Sequence, residues 1–242
     1  VWAACGASRL VGEHVAQAPE RLTGLGLVPL QHPSRIVECV DDAVLGRGLA
    51  GVEISSFAGD VELSDERLEP FWARVEELGA IVFLHPFGCS LDERLDRFYL
   101  ANTVGQPAEN AVALSHLIFG GVLDRHPRLR LVVAHGGGYL PTAIGRSDHA
   151  WRVRPEAHRC AHEPSHYLRR IWFDTVVHDE LALRHLVEVA GGAQVVLGSD
   201  FPFDMGLEDP VGFVTGTGLP AEVVARIVGS NAAALLRAKI RT

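Results

Sequence analysis

Residues 129–135 read LRLVVAH and are followed by three glycines at positions 136–138, and this stretch decides the fold class. The run is short, nearly continuous in apolar residues, and ends in a histidine. Such runs are typical of strands that are buried on both faces, as the strands of a parallel sheet are. Together with the helix that we predict over residues 140–151, the stretch forms one strand–turn–helix unit.

The same unit recurs along the chain. Six strands are predicted, at residues 25–30 (LGLVPL), 51–55 (GVEIS), 80–85 (AIVFLH), 129–135, 171–177 (IWFDTVV) and 194–200 (QVVLGSD). Helices are predicted over residues 35–45, 65–78, 107–126, 140–151, 180–190, 221–228 and 231–237, and loops over residues 87–106 and 152–165. This alternation indicates an α/β protein whose parallel sheet is covered on both faces. A doubly wound open sheet and a (β/α)8 barrel both fit it, although a barrel needs more strands than the sequence shows.

The composition is that of an ordinary globular protein. The chain has 242 residues, of which 48% are apolar and 21% charged, and we predict a single domain over residues 1–242. The net charge of −8 argues against a nucleic-acid partner. No apolar run reaches about 18 residues, the length of a membrane-spanning helix, so no membrane partner is expected.

The cysteines indicate the compartment. They lie at positions 5, 39, 89 and 160 and form no CxxC pair, which argues against a cysteine zinc site. Scattered cysteines in a chain of this length are more typical of a reducing environment than of a disulfide-stapled secreted domain. We therefore predict a cytoplasmic protein.

Three predicted strands end in groups that can bind a metal or move a proton. They are His85 after AIVFL, His135 after LRLVVA, and Asp200 after QVVLGS. A single histidine at a strand end is more often structural, but three such ends from separate strands are harder to explain in that way. Functional groups of (β/α) proteins gather at the carboxyl ends of the strands. Two imidazoles and a carboxylate form a plausible ligand set for zinc or a similar divalent ion.

The glycines after His135 have several interpretations. A phosphate-binding loop would need a GxGxxG or GxxxxGK[ST] pattern around these glycines, and the sequence has neither there. An esterase oxyanion loop would need a GxSxG nucleophile elbow, which the sequence also lacks. We favour a tight turn that also lets a substrate approach His135 closely. Arg146 and Arg154 follow this turn and are candidate ligands for a substrate carboxylate, because arginine is the usual clamp for that group.

Five motifs together resemble the amidohydrolase-related family, which includes aminocarboxymuconate semialdehyde decarboxylase. They are LHPFG at residues 84–88, PAEN at 107–110, HPRLRLVVAHGGGYLP at 126–141, GRSDHAW at 145–151 and GSDFPFDMG at 198–206. The similarity extends over nearly the whole chain. The HGGG-to-DH segment and the GSDFP segment are specific in combination, although neither is specific alone.

The resemblance implies a (β/α)8 barrel of the metal-dependent hydrolase type with one divalent metal ion, most often Zn²⁺, with Mn²⁺ as an alternative. It implies that His85 and Asp200 bind the metal and that His135, beside it, handles protons together with Asp200. Arg154 matches an arginine that contacts a substrate carboxylate, and Phe98 falls where an aromatic side chain lines the pocket. A homodimer is also implied.

The sequence departs from the family at its beginning. The family carries an HxH pair of metal ligands on its first strand, and no HxH occurs in this sequence, which opens at Val1 with residues that read as the middle of a helix. We therefore expect a barrel that lacks its first one or two strands in the sequence given. The expected function is metal-dependent nonoxidative decarboxylation of an unsaturated or aromatic carboxylic acid. The alternatives are a metal-dependent hydrolase or hydratase of a related ring-fission product, and a non-catalytic truncated barrel.

Overall fold

Six strands of the chain form one parallel sheet, and they lie side by side in the order in which the sequence presents them. The computed structural model describes residues 1–237, so residues 238–242 of the predicted domain lie outside the described residues. The strands of the sheet are β1 (Leu25–Leu27), β2 (Gly51–Ile54), β5 (Ile81–Leu84), β6 (Arg130–Val133), β7 (Trp172–Asp174) and β8 (Val195–Val196). Between β2 and β5 the chain forms a small antiparallel hairpin of β3 (Phe57–Ala58) and β4 (Val61–Glu62).

Helices follow nearly every strand of the sheet. The α-helices are α1 (Trp2–Val15), α2 (Ile36–Asp41), α3 (Glu69–Leu78), α4 (Gln106–Phe119), α5 (Val122–Arg125), α6 (Leu140–Val153), α7 (Pro164–Leu168), α8 (Glu180–Ala190), α9 (Pro210–Gly216), α10 (Ala221–Ala225) and α11 (Asn231–Arg237). Short 3₁₀ turns occupy Pro33–Arg35, Glu66–Leu68, Asp92–Leu95 and His135–Gly137, and π-helical turns occupy Asp42–Gly46, Ala101–Gly105 and Arg226–Ser230.

The strand order separates the two predicted architectures. A doubly wound sheet reverses its strand order at a switch point, whereas this sheet runs through β1, β2, β5, β6, β7 and β8 without reversal. Within residues 1–237, β1 pairs only with β2 and β8 pairs only with β7. The arrangement is therefore part of a (β/α)8 barrel, as predicted.

The main core lies between the outer face of the sheet and the helices. Alternate strand residues point to the helices and are fully buried, namely Val82, Leu84, Leu131, Val133 and Phe173. A smaller cluster of Ile81, Val132, Val196 and Leu235 lies on the inner face, with Phe83 and Trp172 packed against it. The two faces thus follow the period-two alternation of β-strands.

Several strands end earlier than the sequence predicts. The predicted strand 194–200 stops at Val196, because the Leu197 amide donates to the carbonyl oxygen of Ile227 at 3.1 Å instead of to the sheet. The predicted strand 25–30 stops at Leu27, and Pro29, two residues later, has no backbone N–H to donate to a neighbouring strand.

The predicted loop 152–165 is partly helical, since α6 continues to Val153 and α7 begins at Pro164.

Candidate metal centre and active site

His85, His135 and Asp200 meet at the carboxyl edge of the sheet. The Nε2 atom of His85 lies 3.6 Å from Asp200 Oδ1, and the Nε2 atom of His135 lies 3.7 Å from Asp200 Oδ2. The three potential ligand atoms all lie within 4.8 Å of one another, and this is the one such group found among residues 1–237. The chain therefore brings together the three groups that the sequence places at separate strand ends.

The backbone brings all three side chains to the carboxyl edge of the sheet, although β6 ends at Val133 and β8 at Val196, before His135 and Asp200. His85 directly follows β5, and its amide donates to the Ile54 carbonyl oxygen at 3.0 Å, which extends the pairing of β5 with β2. His135 and Asp200 have φ angles of 54° and 56°, in the left-handed region that residues other than glycine seldom adopt. Backbone strain of this kind is concentrated at functional sites.

The glycine turn after His135 is closely packed. The amide side chain of Asn110 on α4 donates to the Ala134 carbonyl oxygen at 2.8 Å, just before the turn. Gly138 has φ 63° and ψ −134°, and a Cβ atom there would collide with the backbone of Pro107. The turn therefore requires glycine both for its conformation and for its contact with α4.

Asp174, at the end of β7, is a site residue that the sequence analysis missed. Its side chain is buried, and its Oδ1 atom accepts the amides of Gly136 at 2.9 Å and Val176 at 3.1 Å. Burial raises the pKa of Asp174, while the nearby His135 opposes that shift. The strand IWFDTVV carries this carboxylate at the same sheet edge as the other three side chains, so the sequence contained the signal.

Burial also controls the electrostatics of His135. It lowers the pKa of the imidazole because the cation is poorly solvated there, and the carboxylate of Asp174 opposes the shift in part. Glu53 on β2, half-buried on the inner face of the sheet, has its pKa raised by burial, and His85 acts in the opposite direction. The site therefore combines an imidazole whose protonation is disfavoured by burial, that of His135, with carboxyl groups whose pKa is raised by burial, those of Asp174 and Glu53.

A cavity of about 380 Å³ opens beside His135 and Asp200. Its wall is partly apolar, with Val176, Val177 and Leu186, and it also carries the polar side chains of His178, His185, Tyr139 and Gln106. Mixed walls with a few polar groups are typical of sites for small organic ligands. The sequence analysis did not assign His178 or His185 to the site.

The predicted substrate ligands lie elsewhere on the surface. Phe98 is 85% exposed and Arg146 is also exposed. Arg154 ends α6 and forms an exposed ion pair with Glu156. In the described part of the chain, none of these three side chains lines the cavity. Phe98 lies on a loop, Arg146 lies within α6 and Arg154 directly follows α6, and the strand pattern of the sequence does not determine where these positions lie relative to the site.

The donor set fits a divalent metal ion. The separations of 3.6 and 3.7 Å between the histidine nitrogens and the carboxylate oxygens are too long for hydrogen bonds. Ligand atoms about 2.1 Å from a zinc ion in tetrahedral geometry lie about 3.4 Å apart, so the gap is comparable to that left for an ion. Both histidine nitrogens face the carboxylate, and imidazole and carboxylate are ordinary ligands of such an ion.

Comparison with known proteins identifies the family of this chain. The family described as amidohydrolase matches residues 3–238. The chain belongs to the amidohydrolase family. Among its amidohydrolase relatives, the 2-amino-3-carboxymuconate-6-semialdehyde decarboxylase of Dictyostelium discoideum is 37% identical over 205 residues, which are 82% of this chain and 57% of the relative. The chain thus spans little more than half the length of that relative.

Solved structures of amidohydrolase type share the fold. The 5-carboxyvanillate decarboxylase LigW from Sphingomonas paucimobilis is 28% identical, with a TM-score of 0.87 over 95% of this chain and 71% of that chain. A dihydroxybenzoic acid decarboxylase from Polaromonas sp. JS666, with bound manganese and 2-nitroresorcinol, has a TM-score of 0.87 at 22% identity, over 97% of this chain and 74% of that chain. Among residues 1–237, no helix has the length and apolar character needed to cross a membrane.

Proposed function

We propose that this amidohydrolase-family chain is a metal-dependent nonoxidative decarboxylase of an unsaturated or aromatic carboxylic acid. The observation that carries the proposal is the cluster of His85, His135 and Asp200 beside a cavity of about 380 Å³. The names of the relatives support the reaction class, since both the Dictyostelium discoideum protein and LigW are decarboxylases. Their substrates, by name, are a muconate semialdehyde and a carboxylated vanillate, which supports the substrate class.

The metal in this proposal is one divalent ion held by His85 and Asp200, with His135 beside it. We propose Zn²⁺ first and Mn²⁺ as the alternative, because mixed histidine and carboxylate sites accept several metals. Manganese in the Polaromonas structure supports the alternative. When bound, such an ion supplies Lewis acidity that stabilises negative charge on a substrate oxygen.

The proton steps in this proposal belong to His135. Because burial lowers its pKa, the imidazole is neutral near pH 7 and accepts a proton from the substrate or from water. Since burial lowers its pKa, the resulting imidazolium is a better proton donor than an ordinary protonated histidine, and it gives its proton to the carbon that bears the carboxylate. The bond from that carbon to the carboxylate then breaks, its electrons return to the unsaturated system, and carbon dioxide leaves. Asp200, 3.7 Å from His135 Nε2, stabilises the imidazolium while it exists.

The substrate contacts are proposed to come from two directions. The apolar wall of the cavity would hold the unsaturated or aromatic body of the acid. Arg154, Arg146 and Phe98, which lie on the surface, would act from outside this cavity, and Arg154 would serve the site of a second copy in a homodimer. A cytoplasmic location belongs to the same proposal and rests on the cysteine pattern.

The decisive test is carbon dioxide release from a panel of aromatic and muconate-type acids, with the chain loaded with Zn²⁺ or with Mn²⁺. We expect release with one metal and none after chelation or in His85→Ala. Conversion without carbon dioxide would indicate a hydrolase or hydratase. Absence of both metal binding and turnover would indicate a non-catalytic barrel.

The dimer is tested by complementation. Mixed His135→Ala and Arg154→Ala chains should regain activity that neither variant has alone, because some dimers then combine one intact His135 with one intact Arg154. If the mixture stays as inactive as its components, Arg154 does not act across a dimer interface.

A further inference from the structure

We propose that Asp174 is a positioning residue, whose buried carboxylate holds the turn that carries His135 against the segment that leads to Asp200. The proposal rests on the decarboxylase function proposed above, and it assigns a role to β7, the one strand between β6 and β8. Asp174 does not belong to the group of three potential metal ligands.

The first contact of Asp174 is with the His135 turn. Asp174 Oδ1 accepts the Gly136 amide at 2.9 Å, and the same oxygen accepts the Val176 amide at 3.1 Å. Because His135 and Gly136 have φ angles of 54° and 59°, this turn has left the regular strand pairing of β6. One carboxylate oxygen therefore joins the turn after β6 to the end of β7.

The second contact of Asp174 is with the segment before Asp200. A Cβ atom added to Gly198 would lie only 2.8 Å from the Asp174 Cβ atom, so this segment passes directly over Asp174. The Gly198 amide donates a hydrogen bond of 3.1 Å to the Oγ1 atom of Thr175, the residue that follows Asp174. The end of β7 is thus fixed to both neighbouring turns, one carrying His135 and the other Asp200.

The geometry requires a short side chain with an acceptor at the Oδ1 position. Asparagine keeps both features, whereas leucine keeps the approximate volume but removes the acceptor. With leucine, the buried Gly136 amide loses its partner, which is unfavourable in a site closed to water. The turn would then relax, and a displacement of a proton-transfer group by about 1 Å can lower a rate by about 100-fold.

Asp148 on α6 offers a matched control. It is also buried, and its Oδ1 atom accepts a backbone amide, that of Ser165 at 2.8 Å. Its partner lies on α7, and neither residue lines the cavity or belongs to the metal group within residues 1–237. Replacing Asp148 therefore measures what the loss of a buried acceptor does to the fold alone.

The experiment compares Asp174→Asn, Asp174→Leu and Asp148→Leu in the full chain. We expect kcat for carbon dioxide release to fall by about 10–100-fold in Asp174→Leu, with KM and zinc content nearly unchanged, and to recover largely in Asp174→Asn. Asp148→Leu should keep its kcat. A folded Asp174→Leu with wild-type kcat, or an equal loss in Asp148→Leu, would overturn the proposal. If Asp174→Leu does not fold, Asp174→Ala takes its place.

A second readout does not depend on turnover. Amide hydrogen exchange at Gly136 in the metal-free chain should speed up by at least about tenfold in Asp174→Leu and stay unchanged in Asp148→Leu. If the wild type releases no carbon dioxide from any acid, the decarboxylase function fails and the exchange result alone decides the role of Asp174. Unchanged exchange at Gly136 in Asp174→Leu would reject it.

Discussion

The imidazole rings of His85 and His135 meet edge to face, with their centroids 4.9 Å apart and their planes inclined by 72°. They come from neighbouring parallel strands, whose register pairs Leu84 with Val133. Strand-end side chains of paired parallel strands project from the same edge, so the two rings lie side by side. Asp200 faces both rings, so an ion held by His85 and Asp200 would lie beside the imidazole of His135.

Metal affinity should depend on His85. Replacing it by alanine removes one of the donors, and we expect the affinity for Zn²⁺ to fall by more than the ~10–100-fold that loss of an outer partner causes. Competition with a chromophoric chelator measures this. His158→Ala is the control, because that exposed ring stacks on Trp151 instead. An equal loss of affinity in His158→Ala, or none in His85→Ala, would contradict the assignment.

His135 is expected to act in proton transfer more than in metal binding. The change His135→Ala should lower the turnover of the metal-loaded protein severely, by about 100-fold or more, while the metal content stays at the wild-type level. Metal analysis and carbon dioxide release on the same sample separate the two effects. Loss of the metal along with activity would show that His135 is itself a ligand.

The stability of the metal-free chain should fall in mild acid because of His135. Burial lowers its pKa, so the folded chain takes up this proton at a lower pH than the unfolded chain does. As the pH drops below about 6.5, the ordinary histidine value, the unfolded state binds more protons and gains in relative stability. Urea unfolding of His135→Gln should therefore depend less on pH than the wild type does.

His166→Gln is the comparison for that experiment. Burial also lowers the pKa of His166, but this residue is exposed, so its contribution should be smaller. Equal pH dependence in the wild type and His135→Gln would show that the buried imidazole does not contribute.

The glycine turn should tolerate no side chain at Gly138. The change Gly138→Ala places a methyl group against the Pro107 backbone at a φ of 63°, and we expect a loss of at least about 3 kcal/mol of unfolding free energy. Gly145→Ala is the matched change on α6, where the added Cβ meets no atom beyond the adjacent backbone within 4 Å in the described part of the chain. It should be neutral or stabilise by up to about 1 kcal/mol. Denaturant titration of both variants checks the difference.

Oxidation should join α1 to α2. The free thiols of Cys5 and Cys39 have their Sγ atoms 3.5 Å apart. Burial raises the pKa of Cys39 to about 12, so the bond will not form readily without an added oxidant. Diamide, which accepts the two hydrogens, should form it and stabilise the chain by about 3–4 kcal/mol. Thiol titration should show two fewer free thiols, and intact mass the loss of two hydrogens. If Cys5→Ser loses two thiols as well, the disulfide involves other cysteines.

The architecture could be predicted because each buried strand is a continuous apolar run. All six strands of the sheet were located in this way, and the helix over Glu180–Ala190 has the predicted bounds. The hairpin of β3 and β4 was missed because its strands have two residues each, too few to show a period. The helices α7 and α9 were missed because they are short, with five and seven residues, and their bounds depend on tertiary contacts.

The candidate site was partly predictable. Groups that follow a buried strand directly must lie at its carboxyl edge, and this placed His85, His135 and Asp200 together. The same argument applies to Asp174, which ends β7 and was overlooked. It does not apply to Phe98, Arg146 or Arg154, because Phe98 lies on a loop and the two arginines lie within and just after α6, where strand periodicity places no side chain.

The sequential strand order has a consequence for how the protein is made. From β2 onward, each strand of the sheet pairs with the sheet strand that is synthesised before it. The sheet can therefore grow during synthesis by one strand–helix unit at a time. Asp200 follows the last of these strands, whereas His85 and His135 emerge from the ribosome earlier. The group of His85, His135 and Asp200 therefore forms only after β8 has docked, and uptake of a metal ion would report the moment at which β8 of a nascent chain has joined the sheet.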